Sequence, residues 1–150
     1  MKVTLLALLV TMIGTVAMAQ SDKEVKWAYS AKKIADKTYE VHLTATVGNS
    51  WHIYSQNVGV DGPIPTKFEF AKNPLVTLDP KVSEVGKLIS KNEEVWGGVV
   101  KYYENKVDFV VKVKIKGGKT KLAGKVEYMV CNEEKCLPPA ETEFSVAIGG

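Results

Sequence analysis

From residue 20 onward the chain alternates apolar and polar residues with a period of two, the spacing of a strand with one buried face. Val25, Trp27 and Tyr29 alternate with Lys26 and Ala28; Tyr39, Val41, Leu43, Ala45 and Val47 alternate with Glu40, His42, Thr44 and Thr46. Val107, Phe109, Val111, Val113 and Ile115 repeat the pattern against Lys112, Lys114 and Lys116, and Leu122–Val130 and Thr142–Ile148 supply two more strands. Shorter strands are expected at Thr66–Phe70, Val76–Leu78 and Val99–Tyr103. Turn residues separate them: Gly48-Asn49, Asp61-Gly62-Pro63, Asn73-Pro74, Gly97-Gly98, Gly117-Gly118 and Pro138-Pro139. Short strands with a turn about every ten residues predict an all-β fold, an antiparallel sandwich in one domain. The stretch Pro80–Lys91 fits either a short helix or an irregular strand. Trp27, Trp51, Phe68, Phe70 and Phe109 are expected in the core. Lys112 to Lys116 are expected on an exposed face, where lysines also deter edge-to-edge pairing. His42 falls on the polar side of its strand, the position of a solvated histidine.

Residues 1–19 break the pattern. Lys2 is followed by an apolar run, Val3–Val16, and Ala17-Met18-Ala19 forms the small-x-small site of a cleaved leader. A run of about 14 residues is short of the ~20 that a membrane-spanning helix needs. The expected organisation is a signal peptide over 1–19 and a mature exported domain over 20–150, with Gln20 at the cut and no later segment able to span. Charge narrows the function further. All 20 basic residues are lysine, interspersed with 17 acidic ones. Arginine, the bidentate reader of phosphate and guanine, is absent, so nucleic acid is not an expected partner.

Export changes the meaning of the two cysteines, which in an oxidising compartment are expected to pair. Cys131 ends a strand, and Cys136 lies in the turn before the last one. A hairpin brings such residues within disulfide reach. Closing so short a loop stabilises the fold by roughly 2 kcal/mol, at the low end for disulfides. A bridge serving only as a staple would gain more by joining residues distant in sequence. The spacing alone leaves two readings open, a structural disulfide in a non-catalytic binding or interaction module, and a working redox pair. Together with His42 and His52 the thiols lack the paired spacing of a zinc site, so no metal is expected.

The segment Tyr128-Met129-Val130-Cys131-Asn132-Glu133-Glu134-Lys135-Cys136-Leu137-Pro138-Pro139, followed by the strand Thr142–Ile148, resembles one family's signature. That family is the N-terminal periplasmic domain of the DsbD-type thiol:disulfide interchange proteins. Ser50-Trp51-His52-Ile53-Tyr54-Ser55-Gln56 with Gly62-Pro63-Ile64-Pro65-Thr66 matches as well. So does Glu93-Glu94-Val95-Trp96-Gly97-Gly98 with the strands around Tyr102 and Val107–Val113. The resemblance covers nearly the whole mature chain in the expected order. It implies an immunoglobulin-like antiparallel β-sandwich, with a cysteine-bearing hairpin near the C-terminus. In the periplasm its cysteine pair would pass electrons between thioredoxin-like proteins and a membrane electron-transport partner. Cys136 would form mixed disulfides and Cys131 would resolve them. Trp96, with Val95 competing for the same place, would shield the pair, and His52 and Tyr54 would stand beside it. The cysteines are separated by one residue fewer than in the best-known members. The family's membrane and thioredoxin-like segments have no counterpart in this sequence, so partners are expected on separate chains. The domain is expected to be a monomer that needs no cofactor.

Overall fold

A computed structural model of the protein describes residues 21–150; the expected leader lies outside the described residues. A single helical turn, Ser21–Glu24, leads into β1 (Val25–Ala35) and β2 (Thr38–Val47). There follow β3 (His52–Tyr54), β4 (Lys67–Phe70), β5 (Val76–Glu93), a 3-10 turn at Glu94–Trp96 and β6 (Gly98–Ile115). The chain finishes with β7 (Thr120–Tyr128), β8 (Val130–Cys131) and β9 (Ala140–Ile148). The pairing is antiparallel throughout, in a six-stranded sheet and a three-stranded one.

The long strand β6 organises the larger sheet. One of its edges carries β5; the other carries β2 along residues 106–114 and β3 along residues 102–104. β1 lies outside β2, and β8 outside β3. The smaller sheet is β4-β7-β9. Aromatic rings lock the two layers together. Trp27 of β1 meets Phe68 of β4 at 6.1 Å and Tyr128 of β7 at 5.5 Å, and Tyr29 meets Phe144 at 5.5 Å. Of the expected core aromatics Phe109 is fully buried, while Trp27, Trp51, Phe68 and Phe70 are half-buried and packed against the core.

Three strand expectations change, each for a physical reason. Pro80–Lys91 is strand, not helix, and β5 runs unbroken through it with register shifts near Pro80 and Gly86. Proline has no N–H to give a ladder, and an edge strand tolerates that loss. The two strands expected at 99–103 and 107–115 are one strand, bent where Asn105 takes φ 62°. The single strand expected at Leu122–Val130 is two: the chain leaves the small sheet after Tyr128 and joins the large sheet at Val130. Alternation survives the crossing. Tyr128 and Val130 face the main core, whereas Met129 and Cys131 face a smaller cluster on the other side of the large sheet. That crossing delivers the first cysteine to its site.

His42 is not merely solvated. Its Nδ1 lies 2.6 Å from Asp108 Oδ2, and Thr44 donates to the other carboxylate oxygen at 2.9 Å. Lys112, Lys114 and Lys116 are exposed, as the alternation requires.

Candidate functional site

Cys131 and Cys136 face each other across the loop Asn132–Lys135. Two backbone hydrogen bonds flank them: Leu137 N–H to Val130 O at 2.9 Å, and Asn132 N–H to Lys135 O at 2.8 Å. The cysteines therefore occupy a non-hydrogen-bonded antiparallel position, where facing α-carbons come closest. Their Cα atoms are 4.0 Å apart and the sulfurs form a disulfide. Asn132 shapes the loop, its Oδ1 accepting from the backbone N–H of Glu134 at 2.9 Å and of Lys135 at 2.8 Å. The two halves of the bridge differ in access. Cys131 is 2% exposed, whereas Cys136 lies exposed beside Pro138 and Pro139, also exposed.

β3 supplies the surroundings. His52 stands opposite Cys131 on one side and opposite Glu104 on the other. Ile53 points into the main core, so His52 and Tyr54 turn to the face that carries Cys131. The Tyr54 hydroxyl donates to Cys131 Sγ at 3.1 Å, and His52 Nε2 lies 3.3 Å from the same hydroxyl. Tyr102 packs on the His52 ring with centroids 4.2 Å apart. Tyr54, Val58, Val100, Tyr102, Met129 and Cys131 form a small buried cluster, with Trp96 packed against it. A cleft of about 100 Å³ opens beside Cys131, and Val95, Glu93 and Glu133 are among its walls. Val95, in the 3-10 turn that Gly97 ends at φ 71°, is 80% exposed.

Burial sets the electrostatics here. It holds the His52 imidazole below its usual value, against the opposing pull of Glu104, Glu93 and Glu133. Desolvation pushes the Tyr54 phenol up to about 12, with the nearby Trp96 indole acting the other way. Tyr54 is thus a proton-bearing donor at neutral pH. Lys91 reaches Glu93 at 3.0 Å and Glu133 at 3.7 Å, linking the end of β5 to the cysteine loop. Among the described residues no cluster of three His, Cys, Asp or Glu side chains is placed to hold a metal ion.

A family model for the N-terminal part of the thiol:disulfide interchange protein DsbD matches residues 19–148. The chain belongs to this family. Its solved relatives carry the same sandwich. The DsbD N-terminal domain of Neisseria meningitidis, in the reduced form, aligns with a TM-score of 0.56 at 20% identity, over 86% of this chain and 89% of that one. The N-terminal periplasmic domain of ScsB from Proteus mirabilis aligns with a TM-score of 0.59 at 12% identity, over 86% of this chain and 47% of that one. At such identities these two speak for the fold, an immunoglobulin-like β-sandwich. No curated protein matches the chain. Among the described residues no helix is long and apolar enough to cross a membrane.

Within this DsbD N-terminal fold, five of the six candidate residues, Cys131, His52, Tyr54, Trp96 and Val95, gather on one face of the large sheet; the sixth, Cys136, is bonded to Cys131. Sequence reasoning missed Tyr102 and Glu84. The adjacent pair Tyr102-Tyr103 was the available signal for the first, because neighbouring strand residues face opposite ways and both rings cannot enter one core. Glu84 carried none, since it sits in the stretch whose secondary structure was ambiguous. Its carboxylate accepts from Ser55 Oγ at 2.9 Å, Gln56 N–H at 2.7 Å and Tyr103 OH at 2.7 Å. These bonds pin the backbone that follows Tyr54 to β5.

Proposed function

We propose that the chain is a periplasmic thiol–disulfide exchange domain, released from a cleaved leader at 1–19 as a single domain over 20–150. Through Cys131 and Cys136 it relays electrons to or from thioredoxin-like proteins, supplied by a membrane electron-transport partner on a separate chain. The observation that carries this reading is the asymmetry of the bridge: an exposed Cys136 joined to a buried Cys131, in a hairpin that backbone hydrogen bonds already close. Such a bridge adds little architecture and presents one sulfur to a partner. Membership in the DsbD N-terminal family supports the same reading.

In the reducing direction the Cys136 thiolate attacks a sulfur of the partner's disulfide and expels the partner's other sulfur as a thiolate. The Cys131 thiolate then attacks Cys136 in the mixed disulfide, forms the intramolecular bridge and releases the partner's second thiolate. Two electrons pass to the partner, which takes up two protons. The turn carrying Val95 and Trp96 shields Cys131, the buried half of the pair, and His52 and Tyr54 line the space behind it.

The test uses single-cysteine variants against a thioredoxin-like protein that lacks its own resolving cysteine. Cys131→Ala, which leaves Cys136 alone, should accumulate a long-lived mixed disulfide on a non-reducing gel, and Cys136→Ala little. The reverse pattern would exchange the two roles, and no adduct from either would count against exchange. A bridge with a potential well below about −300 mV would mark a structural disulfide instead.

A further inference from the structure

The Tyr54 hydroxyl meets two groups, and they constrain one another. A phenol oxygen has one hydrogen and two lone pairs. Cys131 Sγ, 3.1 Å away and in a disulfide, has no hydrogen and only accepts. His52 Nε2, at 3.3 Å, donates or accepts according to its tautomer. Both contacts are satisfied together in one arrangement: His52 donates to the Tyr54 oxygen, and the Tyr54 O–H is left aimed at Cys131 Sγ. With its proton on Nδ1 alone, His52 would instead compete with the sulfur for that hydrogen.

We propose that Tyr54 is a catalytic hydrogen-bond donor to the Cys131 sulfur, and that His52 is a positioning residue that aims it. The inference rests on the exchange reading above and assigns that site its charge-stabilising group. When a partner thiolate attacks Cys136, a new S–S bond forms and the Cys136–Cys131 bond breaks. The electron pair leaves on Cys131 as a thiolate, at a residue only 2% exposed. An unpaired charge in such surroundings is costly, and a fixed O–H donor offsets the loss of water. In the opposite direction the same hydrogen bond favours the thiolate form of Cys131 that attacks the mixed disulfide. Tyr54 retains its proton in both directions; the departing thiolate is protonated from solvent. The charged and titratable groups that face His52, and through it this relay, are Glu104, Glu93, Glu133, Lys91 and Tyr102.

The experiment treats the reduced protein with an excess of the chromogenic disulfide dithiobis-nitrobenzoate in a stopped-flow instrument. Attack by Cys136 releases one coloured thiolate; attack by Cys131 on the resulting mixed disulfide releases a second. Tyr54→Phe should slow the second release by about tenfold relative to the first, the effect of losing one hydrogen bond to a charged group. In that variant the pH profile of the second release should also move up by about one unit. His52→Gln should slow the same phase in the same sense by a smaller factor. A second release with equal rate and pH profile in the parent and Tyr54→Phe would overturn the proposal. A parent that releases one equivalent or none would overturn the exchange reading itself.

Discussion

His52 is half-buried, at the cost of its charged form. Burial beside Cys131 holds its imidazole below the ordinary 6.5, against the pull of Glu104, Glu93 and Glu133. The unfolded chain therefore takes up a proton that the folded chain refuses, and folding weakens as pH falls. The contribution is complete above the ordinary value and is lost as pH drops toward and through the depressed one. Urea midpoints taken from about pH 7.5 down to about pH 5 should decline more steeply in the parent than in His52→Gln. Parallel declines would remove His52 from this account. Trp96→Ala should speed alkylation of the reduced thiols while leaving the fold intact, and equal alkylation rates would refute the shield. Both residues stood out in the sequence through their neighbours, Ser50-Trp51-His52 and Trp96-Gly97-Gly98. Tyr54 stood out with them, but its bond to Cys131 did not, because that bond spans 77 positions and depends on the register of β3 against β8.

Among the elements, the alternating strands were the legible part. β2 and β9 fall where the period-two pattern puts them, because one buried face imposes that period on any strand. β3 was not legible as a strand, since three residues carry too little pattern. β5 was ambiguous for a related reason: its residues 84–92 are mostly exposed, and an edge strand with little burial shows little alternation. The small sheet depends on a close approach at Gly124, which faces Phe70 of β4 and Phe144 of β9. A Cβ there would run into the Glu69 carbonyl and come within 2.8 Å of the Phe144 ring. Gly124→Ala should therefore destabilise the fold by about 2 kcal/mol, read as a lowered denaturant midpoint at unchanged slope. An unchanged midpoint would mean that β4 shifts freely, contrary to the ring packing of Phe70 on Phe144 at 5.9 Å.

For the molecule as a whole the disulfide is a minor support. The main core runs from Val25 to Ile148 through both sheets, and among its buried residues neither cysteine appears. Reducing the pair should lower the melting temperature by roughly 5–10 °C while leaving one cooperative transition, the loss expected for closing a loop of about six residues. Loss of the cooperative transition on reduction would make the bridge a structural staple after all. The sequence by itself determined the all-β class, the faces of the main strands and the nearness of Cys131 to Cys136. Those properties follow from side-chain spacing along one strand or one hairpin, where neighbours in space are neighbours in sequence. The tertiary structure alone decided that the chain changes sheets at Met129, that Val95 lines the cleft while Trp96 packs against the cluster holding Tyr54 and Cys131, and that Glu84 anchors the end of β3. Each of these joins strands far apart in the chain, and cross-strand register and layer packing, to which local patterning is blind, bring them together.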